Sequence, residues 1–371
     1  MTDIAESYMR LALIPNVGAA TVRKLIARFG SPVEALRASR RDLMSLDRVG
    51  AKIADAFVAG RDSVDVDAVK AKLKSFGADY VCIDDDRYPR LLRNVYDAPV
   101  GLYVAGSADL NAPSVAIVGC RNCSVYGQSV ARRFAAGLGR MGIVVASGMA
   151  RGIDSAAHWG AIEAGAATVA VLGCGIDIVY PPENVDLYRR IIASGAVISE
   201  YPFGMRADRQ TFPMRNRIIA GMTCATVLVE SDVRGGGMIT ARLACDFGRD
   251  VFAVPGRIDQ STSAGCHLMI REGARLAACV EDIAEEMGYS GQFEIKFEGG
   301  EPSRSDAPCA LELDGDEAAA YSALASGDAL SPDAISERAG LAIPRVLSAL
   351  LMLELKKLVA KRTDGRYEKR L

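Results

Sequence analysis

The chain has 371 residues, 50% of them hydrophobic and 24% charged, and its formal net charge is −2. This length and composition exclude a mini-protein, a fibrous protein and a disordered protein, and they predict a globular protein of two or three domains. The near-neutral charge excludes a global basic field, so a nucleic acid could be bound only through local basic patches.

Membrane and cysteine patterns predict where the protein acts. No apolar run approaches the roughly 20 residues that a membrane helix needs, and the N-terminus Met-Thr-Asp-Ile-Ala-Glu lacks the basic and apolar parts of a signal peptide. The nine cysteines are scattered and odd in number, which favours reduced thiols over a disulfide framework. We therefore expect a cytoplasmic protein without membrane insertion.

Residues 1–62 predict a small helical domain. Two segments, Ile14–Leu25 and Leu46–Asp55, share an apolar residue, a short loop, Val-Gly and an amphipathic helix. This pattern resembles paired helix-hairpin-helix (SAM-like) units, whose hairpin amides can meet a DNA phosphate without reading bases. Each copy has one glycine where strong examples have two, so compact packing, protein docking and direct DNA contact all stay open.

Residues 63–288 predict an α/β domain, an extended Rossmann-like, doubly wound and mostly parallel sheet. A helix at Val66–Phe76 and strands at Asp79–Ile83 and Leu102–Ala105 form its extension. Apolar runs then alternate with helical stretches at the spacing of βαβ units. These runs are Val115–Val118, Ile143–Ala146, Thr168–Leu172, Ala196–Ser199, Ala225–Val229 and Val251–Val254. Parallel strands bring their carboxyl ends to one rim, where open α/β sheets bind ligands.

The end of the chain predicts a linker and a winged-helix domain. Residues 289–312 are polar and rich in Gly, Pro and Ser, which is typical of a flexible linker. Residues 313–371 then predict three helices and a hairpin, with the second helix opened by Ser331-Pro332, the third by Pro344 and the hairpin turn at Asp364-Gly365.

The charge of the winged-helix domain leaves its ligand open. Residues 344–371 hold eight Lys/Arg and three acidic residues, and this excess of +5 favours nucleic acid. The third helix is instead rich in leucine and has few side chains that could read bases. Protein docking and backbone-only DNA contact therefore both stay possible.

Four turns at strand ends carry residues that we expect to bind phosphate. A glycine turn before a helix can cradle a phosphate with its backbone amides. Two arginines in the first turn of a helix, Arg215 and Arg217, repel each other and the helix dipole unless an anion is present. The predicted site consists of Gly119, Arg121, Ser147, Gly148, Arg215, Asn216, Arg217, Gly235, Gly236 and Gly237.

Two other residue pairs favour structural roles. Asp154 and His158 are four residues apart on one helical face, but the sequence offers no third metal ligand or nucleophile beside them, so local hydrogen bonding is favoured. Cys120 and Cys123 have redox-like spacing, but no aromatic residue precedes them as in thioredoxin-like sites. The sequence therefore predicts no catalytic residue, no metal and no cofactor.

The order of these motifs resembles the DNA-processing protein A family, also called DprA or Smf. The matching segments are Ile117–Arg121, Ser147–Asp154 with His158, Tyr180–Asn184, Ser199–Tyr201, Phe212–Arg217, Arg249–Gly256 and Gly273–Ala274. Two departures stand out, since Cys120 replaces the usual Ser or Thr and Arg234–Gly237 replaces a Ser-Gly-Ser-type turn. The helical and winged-helix modules also look like those of the fuller family members.

This resemblance implies a function and partners. Such a protein binds single-stranded DNA non-specifically, dimerises through its Rossmann-like domain, protects incoming DNA and helps load the RecA recombinase in natural transformation. Arg121, Arg215 and Arg217 would then hold phosphates, while Ser147, Gly148 and the turn at residues 235–237 shape the pocket. The resemblance implies a binding protein rather than an enzyme.

Two other function classes stay open. A Rossmann-like nucleotide phosphoribohydrolase, of the lysine-decarboxylase-like family, also has a Gly-Gly turn before a helix, but a glutamate follows that turn and Met238–Ala244 supplies none. A winged-helix regulator whose sheet domain senses a nucleotide would require effector-dependent binding to a defined duplex sequence.

Overall fold

The computed structural model describes residues 1–47, 49–288, 313–324, 328–356, 358–362 and 364–369. Its contacts divide the chain into two units. The first comprises Met1–Arg121 and Ala131–Ile283, and the second comprises Asn122–Val130 and Ala284–Leu371. The predicted linker, residues 289–312, lies outside the described residues, and the predicted domain boundaries stay predictions.

The described residues before the first strand form six helices, in agreement with the helical pattern of this part of the sequence. They are α1 Asp3–Leu13, α2 Ala19–Phe29, α3 Pro32–Leu36, α4 Arg40–Met44, α5 Ala51–Ser63 and α6 Val66–Phe76. A capping box of Ser39 and Asp42 starts α4. Gly18 and Gly50, the glycines of the two repeated segments, are the N-caps of α2 and α5. The apolar faces of these helices share one hydrophobic core with the sheet that follows.

A nine-stranded sheet forms the centre of the first unit. Its strands are β1 Ala78–Cys82, β2 Gly101–Gly106, β3 Ser114–Val118, β4 Val144–Ser147, β5 Thr168–Leu172, β6 Ala196–Ser199, β7 Ala225–Leu228, β8 Asp250–Ala253 and β9 Arg275–Leu276. The spatial order is β1-β2-β6-β5-β4-β3-β7-β8-β9. Strands β1 and β2 pair antiparallel, as do β2 and β6, and every other pair is parallel. The predicted mostly parallel sheet is confirmed, whereas β9 was not predicted because its two residues are exposed and lack an apolar pattern.

The order of the strands creates a switch point next to β3. The chain passes from β3 to β4, β5 and β6 on one side and returns as β7 on the other side of β3. In such sheets the helices that follow diverge at this point and leave a crevice at the carboxyl ends of the strands. The helices of this region are α7 Arg90–Arg93, α8 Val125–Arg140, α9 Ile153–Glu163, α10 Val185–Ser194, α11 Thr211–Met222, α12 Gly236–Asp246, α13 Ala264–Arg271 and α14 Glu281–Glu286.

A buried histidine ties α9 to the sheet. His158 Nδ1 lies 2.7 Å from Thr168 Oγ1, and that hydroxyl donates to the carbonyl oxygen of Val145 at 2.6 Å. Because the hydroxyl has a single proton, which it donates to Val145, Nδ1 of His158 is the donor to Thr168. Burial, together with the positive charge of Arg215, lowers the pKa of His158 to about 3.

The second unit contains the three helices and the hairpin of the predicted winged-helix domain. They are α15 Gly315–Ala323, α16 Pro332–Ala339, α17 Ile343–Leu355, β10 Val359–Lys361 and β11 Tyr367–Lys369. The two strands pair antiparallel, and Leu330 forms a bridge with Tyr367 beside them. The unit has its own apolar core, which includes Val346 and Leu350. Across both units, the described residues include no helix that is long and apolar enough to span a membrane.

We predict that acid destabilises the first unit through His158. Its pKa is about 3 in the folded protein but near 6.5 in an unfolded chain, so the unfolded state takes up the proton first as the pH falls. The free energy of unfolding should therefore fall below about pH 6.5, by up to about 1.4 kcal/mol per pH unit. Urea unfolding near neutral pH and again in acid should show a smaller loss for His158→Asn than for the unsubstituted protein.

The other histidine provides the control. His267 Nε2 lies 2.9 Å from the carbonyl oxygen of Gly256, and the control variant is His267→Asn. This variant should keep the full acid loss of the unsubstituted protein. An equal acid loss in His158→Asn would contradict the prediction.

Candidate functional site

A cleft opens at the carboxyl ends of β3, β4 and β5 in the first unit. Its walls come from the turns after these strands and from the start of α11. It is lined by Arg121, Gly148, Ala150, Arg151, Leu172, Gly173, Cys174, Tyr180, Pro181, Phe212 and Arg215. Three of these residues are arginines and none is a carboxylate, so the lining suits an anionic ligand.

Arg121 and Phe212 form the outer part of the cleft. Arg121 is exposed, and its Cζ lies 5.2 Å from the centroid of the Phe212 ring. That ring lies 5.4 Å from the ring of Tyr180, at an interplanar angle of 40°. The arrangement places a cation on an aromatic face while leaving the side chain open to solvent. It therefore presents a guanidinium and two rings to a ligand that enters the cleft.

Arg215 forms the floor of the cleft. Arg215 is only 4% exposed. Its Nη1 donates to the carbonyl oxygen of Gly148 at 2.6 Å and to that of Val171. A Cβ atom on Gly148 would lie 2.2 Å from Arg215 Nη1, so only glycine leaves room for the guanidinium. Burial lowers the pKa of Arg215, and the nearby charge of Asp154 opposes that shift. The hydrogen bonds of Arg215 thus hold the turn after β4 against β5.

Asp154 holds the same turn from the other side. Its Oδ2 accepts from the backbone N–H of Gly148 at 3.2 Å and of Ala150 at 3.3 Å. Burial raises the pKa of Asp154, and Arg215 opposes that effect. Between these contacts Met149 adopts a φ of 54°, a left-handed conformation that few residues other than glycine adopt. The turn is therefore braced by two buried, oppositely charged side chains, and Asp154 has the local hydrogen bonds predicted for it.

Three residues of the predicted site are packed within the fold. Ser147 is fully buried and its Oγ donates to the carbonyl oxygen of Ile117 at 2.7 Å. A Cβ atom on Gly119 would lie 2.6 Å from Ile153 Cγ1, so this glycine allows α9 to approach β3. Both residues position strands rather than present a group to the cleft.

Arg217 is the third of these packed residues. Arg217 is 4% exposed. Its Nη2 donates to Glu200 Oε2 at 2.5 Å, and its Nε lies 3.4 Å from Asp97 Oδ2. The predicted phosphate contact does not fit this burial, because two carboxylates already compensate the guanidinium. We therefore propose no phosphate contact for Arg217.

The glycine turn before α12 adjoins the turn that carries Arg121. A Cβ atom on Gly237 would lie 3.0 Å from Gly119 Cα, so the two turns touch through glycines. Asn216 Nδ2 donates to the carbonyl oxygen of Gly236 at 3.5 Å and links α11 to this turn. The N-cap of α12 is Gly235, which has no side chain to accept from the first amides of the helix. The turn therefore lies at the switch point with its helix N-terminus open to an anion.

Arg151 and Tyr180 are cleft residues that the predicted site omits. Arg151 Nε pairs with a carboxylate oxygen of Glu183, and each side chain is 50% exposed. Asn184 Nδ2 donates to the carbonyl oxygen of Met149 at 2.9 Å and so fastens the segment of Glu183 to the turn after β4. The signals that could have found them are Ser147–Asp154, which contains Arg151, and Tyr180–Asn184. Both segments carry the family resemblance, but the sequence alone assigned no contact to these two residues.

Alternative chemistries lack support in the described residues. Within the described ranges, no group of three or more His, Cys, Asp and Glu side chains could hold a metal ion. Cys120 Sγ lies 3.9 Å from Glu230 Oε2, and Cys123 is buried. Helix α12 begins Gly-Gly-Met-Ile-Thr and carries no glutamate, which the phosphoribohydrolase alternative requires.

Two family models match most of the chain. Residues 79–288 match the model of DNA recombination-mediator protein A, and residues 304–365 match the DprA winged helix domain. A protein of Mycobacterium tuberculosis that carries the name DprA is 35% identical over 380 residues, which cover 98% of this chain and 94% of that protein. Protein Smf of Escherichia coli is 36% identical over 277 residues, which cover 73% of this chain and 72% of its own.

Solved structures agree with these matches. The structure of DNA processing protein A from Streptococcus pneumoniae has a TM-score of 0.69 and 34% identity, and the match covers 77% of this chain and 99% of that one. The structure of DNA processing protein A from Helicobacter pylori, whose subject is its single-stranded DNA binding mode, has a TM-score of 0.52 and 25% identity, with 58% and 97% covered. The resemblance predicted from the motifs is thus confirmed, and the chain belongs to the DprA/Smf family of DNA processing proteins.

Proposed function

We propose that the protein binds single-stranded DNA through this cleft, without sequence specificity and without catalysis. The observation that carries the proposal is the exposed Arg121 on the face of Phe212, above the buried charge of Arg215. A guanidinium can bind a backbone phosphate, and an aromatic ring can stack on any base. The H. pylori relative, which binds single-stranded DNA, supports the proposal. Release of base from a nucleoside monophosphate by the purified protein would overturn its non-catalytic part.

We assign the residues of the site to two tasks. Arg121 and Arg151 contact phosphates from the wall of the cleft, and the amides of Gly236 and Gly237 support a phosphate at the adjoining helix N-terminus. The other residues retained from the predicted site have a structural task, because they hold the turns in place. They are Gly119, Ser147, Gly148, Arg215, Asn216 and Gly235.

Membership of the family supports a wider proposal. We propose that the protein acts in the cytoplasm as a homodimer formed through its Rossmann-like domain, protects incoming single strands and helps load RecA during natural transformation. A test is the rate at which RecA assembles on single strands coated with a single-strand-binding protein. That rate should rise when this protein is added, and an unchanged rate would overturn the loading role while leaving DNA binding intact.

Arg121→Ala should weaken DNA binding without unfolding the protein. We expect affinity for labelled poly-dT to fall about tenfold, because one charged hydrogen-bonding group is lost. The slope of log affinity against log salt should also become shallower by about 0.7, which corresponds to one fewer phosphate contact on a single strand. Fluorescence anisotropy over a salt series measures both quantities.

The control for Arg121 lies at the opposite end of α8. Arg140 is also exposed, and α8 extends 16 residues from Val125 to Arg140. Arg140→Ala should keep the affinity and the salt slope of the unsubstituted protein. Equal binding by Arg121→Ala and Arg140→Ala would contradict the assignment of Arg121.

Glu183→Gln should tighten DNA binding. The Glu183 carboxylate forms an ion pair with Arg151 at the mouth of the cleft and repels a phosphate. Its neutralisation therefore makes the Arg151 guanidinium available to the phosphates of DNA. Since exposed ion pairs are weak, we expect a gain of about twofold to fivefold at low salt. The matched control is Glu163→Gln, which breaks an ion pair with Arg132 of similar exposure, 49% and 54%, at the other end of α9. Weaker or unchanged binding by Glu183→Gln would refute a competing role for this carboxylate.

Gly148→Ala should reduce stability and DNA binding together. The added Cβ would displace the buried Arg215 guanidinium from two carbonyl acceptors. We expect the free energy of unfolding to fall by about 3 kcal/mol, since buried donors lose their partners. Chemical denaturation measures this loss, and Gly236→Ala is the control because a Cβ there meets open space. Stability within about 0.5 kcal/mol of the unsubstituted protein in Gly148→Ala would contradict the bracing role of Arg215.

A further inference from the structure

Helix α17 of the second unit exposes an apolar face. Its buried side places Val346, Leu350 and Leu353 in the winged-helix core. Its other side carries large hydrophobic residues that are 43% to 70% exposed, namely Ile343, Leu347, Leu351, Met352 and Leu355. Contiguous exposed apolar residues on a folded protein mark an interaction site more often than isolated ones do.

The charges of α17 argue against DNA as the ligand of this face. Arg345 is the single charged residue in the exposed set of this fully described helix, and its Nε and Nη2 donate to the carboxylate of Asp316. The other exposed positions besides the hydrophobic ones are Pro344 and Ser348. A helix that reads DNA needs donors for phosphates and base edges. The face therefore fits an apolar, uncharged surface.

The spacing of the exposed residues forms a ridge beside a groove. Ile343, Leu347, Leu351 and Leu355 follow one another at intervals of four residues, which is the spacing of a continuous ridge on a helix. The neighbouring row at residues 344, 348 and 352 has the small Ser348 at its centre. Ridges of this spacing interdigitate in the commonest class of helix pair, with axes crossing at about −50°. Because ridge and groove lie side by side, two copies related by a two-fold axis can each fill the groove of the other.

We propose that α17 is a self-association surface, which a second copy of this chain covers with its own α17. The ridge of Ile343, Leu347, Leu351 and Leu355 carries no charge, so no like charges meet where the two ridges face each other across the two-fold axis. Burial of five half-exposed side chains removes on the order of 400 Å² per copy, or about 800 Å² for the pair, against about 1,200 Å² in a stable specific interface. The α17 pair is therefore weak alone and becomes populated at high local concentration, as when two chains are held together by another contact or by one DNA strand. The proposal does not depend on the function of the cleft.

Site-specific photo-crosslinking in the full chain tests this proposal. The photoreactive residue p-benzoylphenylalanine replaces Leu351, and equal amounts of unlabelled and ¹⁵N-labelled chains are mixed, irradiated and analysed by mass spectrometry. We expect crosslinks between two α17 peptides, about half of which join a labelled chain to an unlabelled one. Crosslinks within one chain, crosslinks to an added oligonucleotide, or no α17 crosslink at about 100 μM would each overturn the proposal.

A charged substitution on the ridge sharpens the test. Leu347→Glu brings like charges together across the pair and should reduce the yield of the crosslink from position 351 at least about tenfold. The exposed Leu347 is 47% accessible, so this substitution leaves the winged-helix core intact. Met44→Glu, at a residue that is 46% exposed in the first unit, is the matched control and should leave the yield unchanged. An unchanged yield in Leu347→Glu would refute the proposed ridge contact.

Discussion

The cleft depends on one buried contact, in which the Arg215 guanidinium lies against the backbone of Gly148. A buried cation is costly unless its donors are paired, and here the carbonyl oxygens of Gly148 and Val171 accept from it. The contact joins α11, the turn after β4 and the end of β5 at one point. Asp154 completes the brace by accepting from two amides of the same turn. The walls that carry Arg121 and Arg151 are built around this centre, so its loss would change the shape of the whole cleft.

The arginines around the cleft differ in their surroundings and therefore in their tasks. Arg215 and Arg217 lie on the same helix, and the expectation that both need an anionic ligand rested on their repulsion of each other and of the helix dipole in a first turn. Helix α11 begins earlier than expected, at Thr211, so both arginines lie beyond its first turn. The fold removes that repulsion for Arg217 through Asp97 and Glu200, and for Arg215 through backbone carbonyls and the charge of Asp154. Arg121 has no carboxylate or carbonyl partner among the described residues, so its guanidinium is available for a ligand. Arg151 is intermediate, because the partner Glu183 is itself half exposed and can be displaced.

The second unit shows the same limit of counting charges along a sequence. The excess of +5 in residues 344–371 suggests a basic surface, but the fold pairs several of these cations with acids. Arg345 contacts Asp316, Lys356 contacts Glu317, and Arg362 lies 3.7 Å from Glu368. What α17 then presents is an apolar ridge, which favours contact with protein over contact with a phosphate backbone.

Local pattern alone determined the element types, the mostly parallel sheet and the family. The bounds of the predicted strands lie within about one residue of the observed bounds, as in Val115–Val118 against Ser114–Val118 for β3. This agreement arises because a buried strand consists of a run of apolar residues, which the sequence shows directly. Tertiary structure decided which predicted residues face the cleft. Ser147 and Arg217 turned inward, while Arg151, Tyr180 and Glu183 came together from separate turns. The physical reason is that burial and charge compensation depend on partners far apart in the chain, such as Gly148 and Arg215, and no local pattern records them.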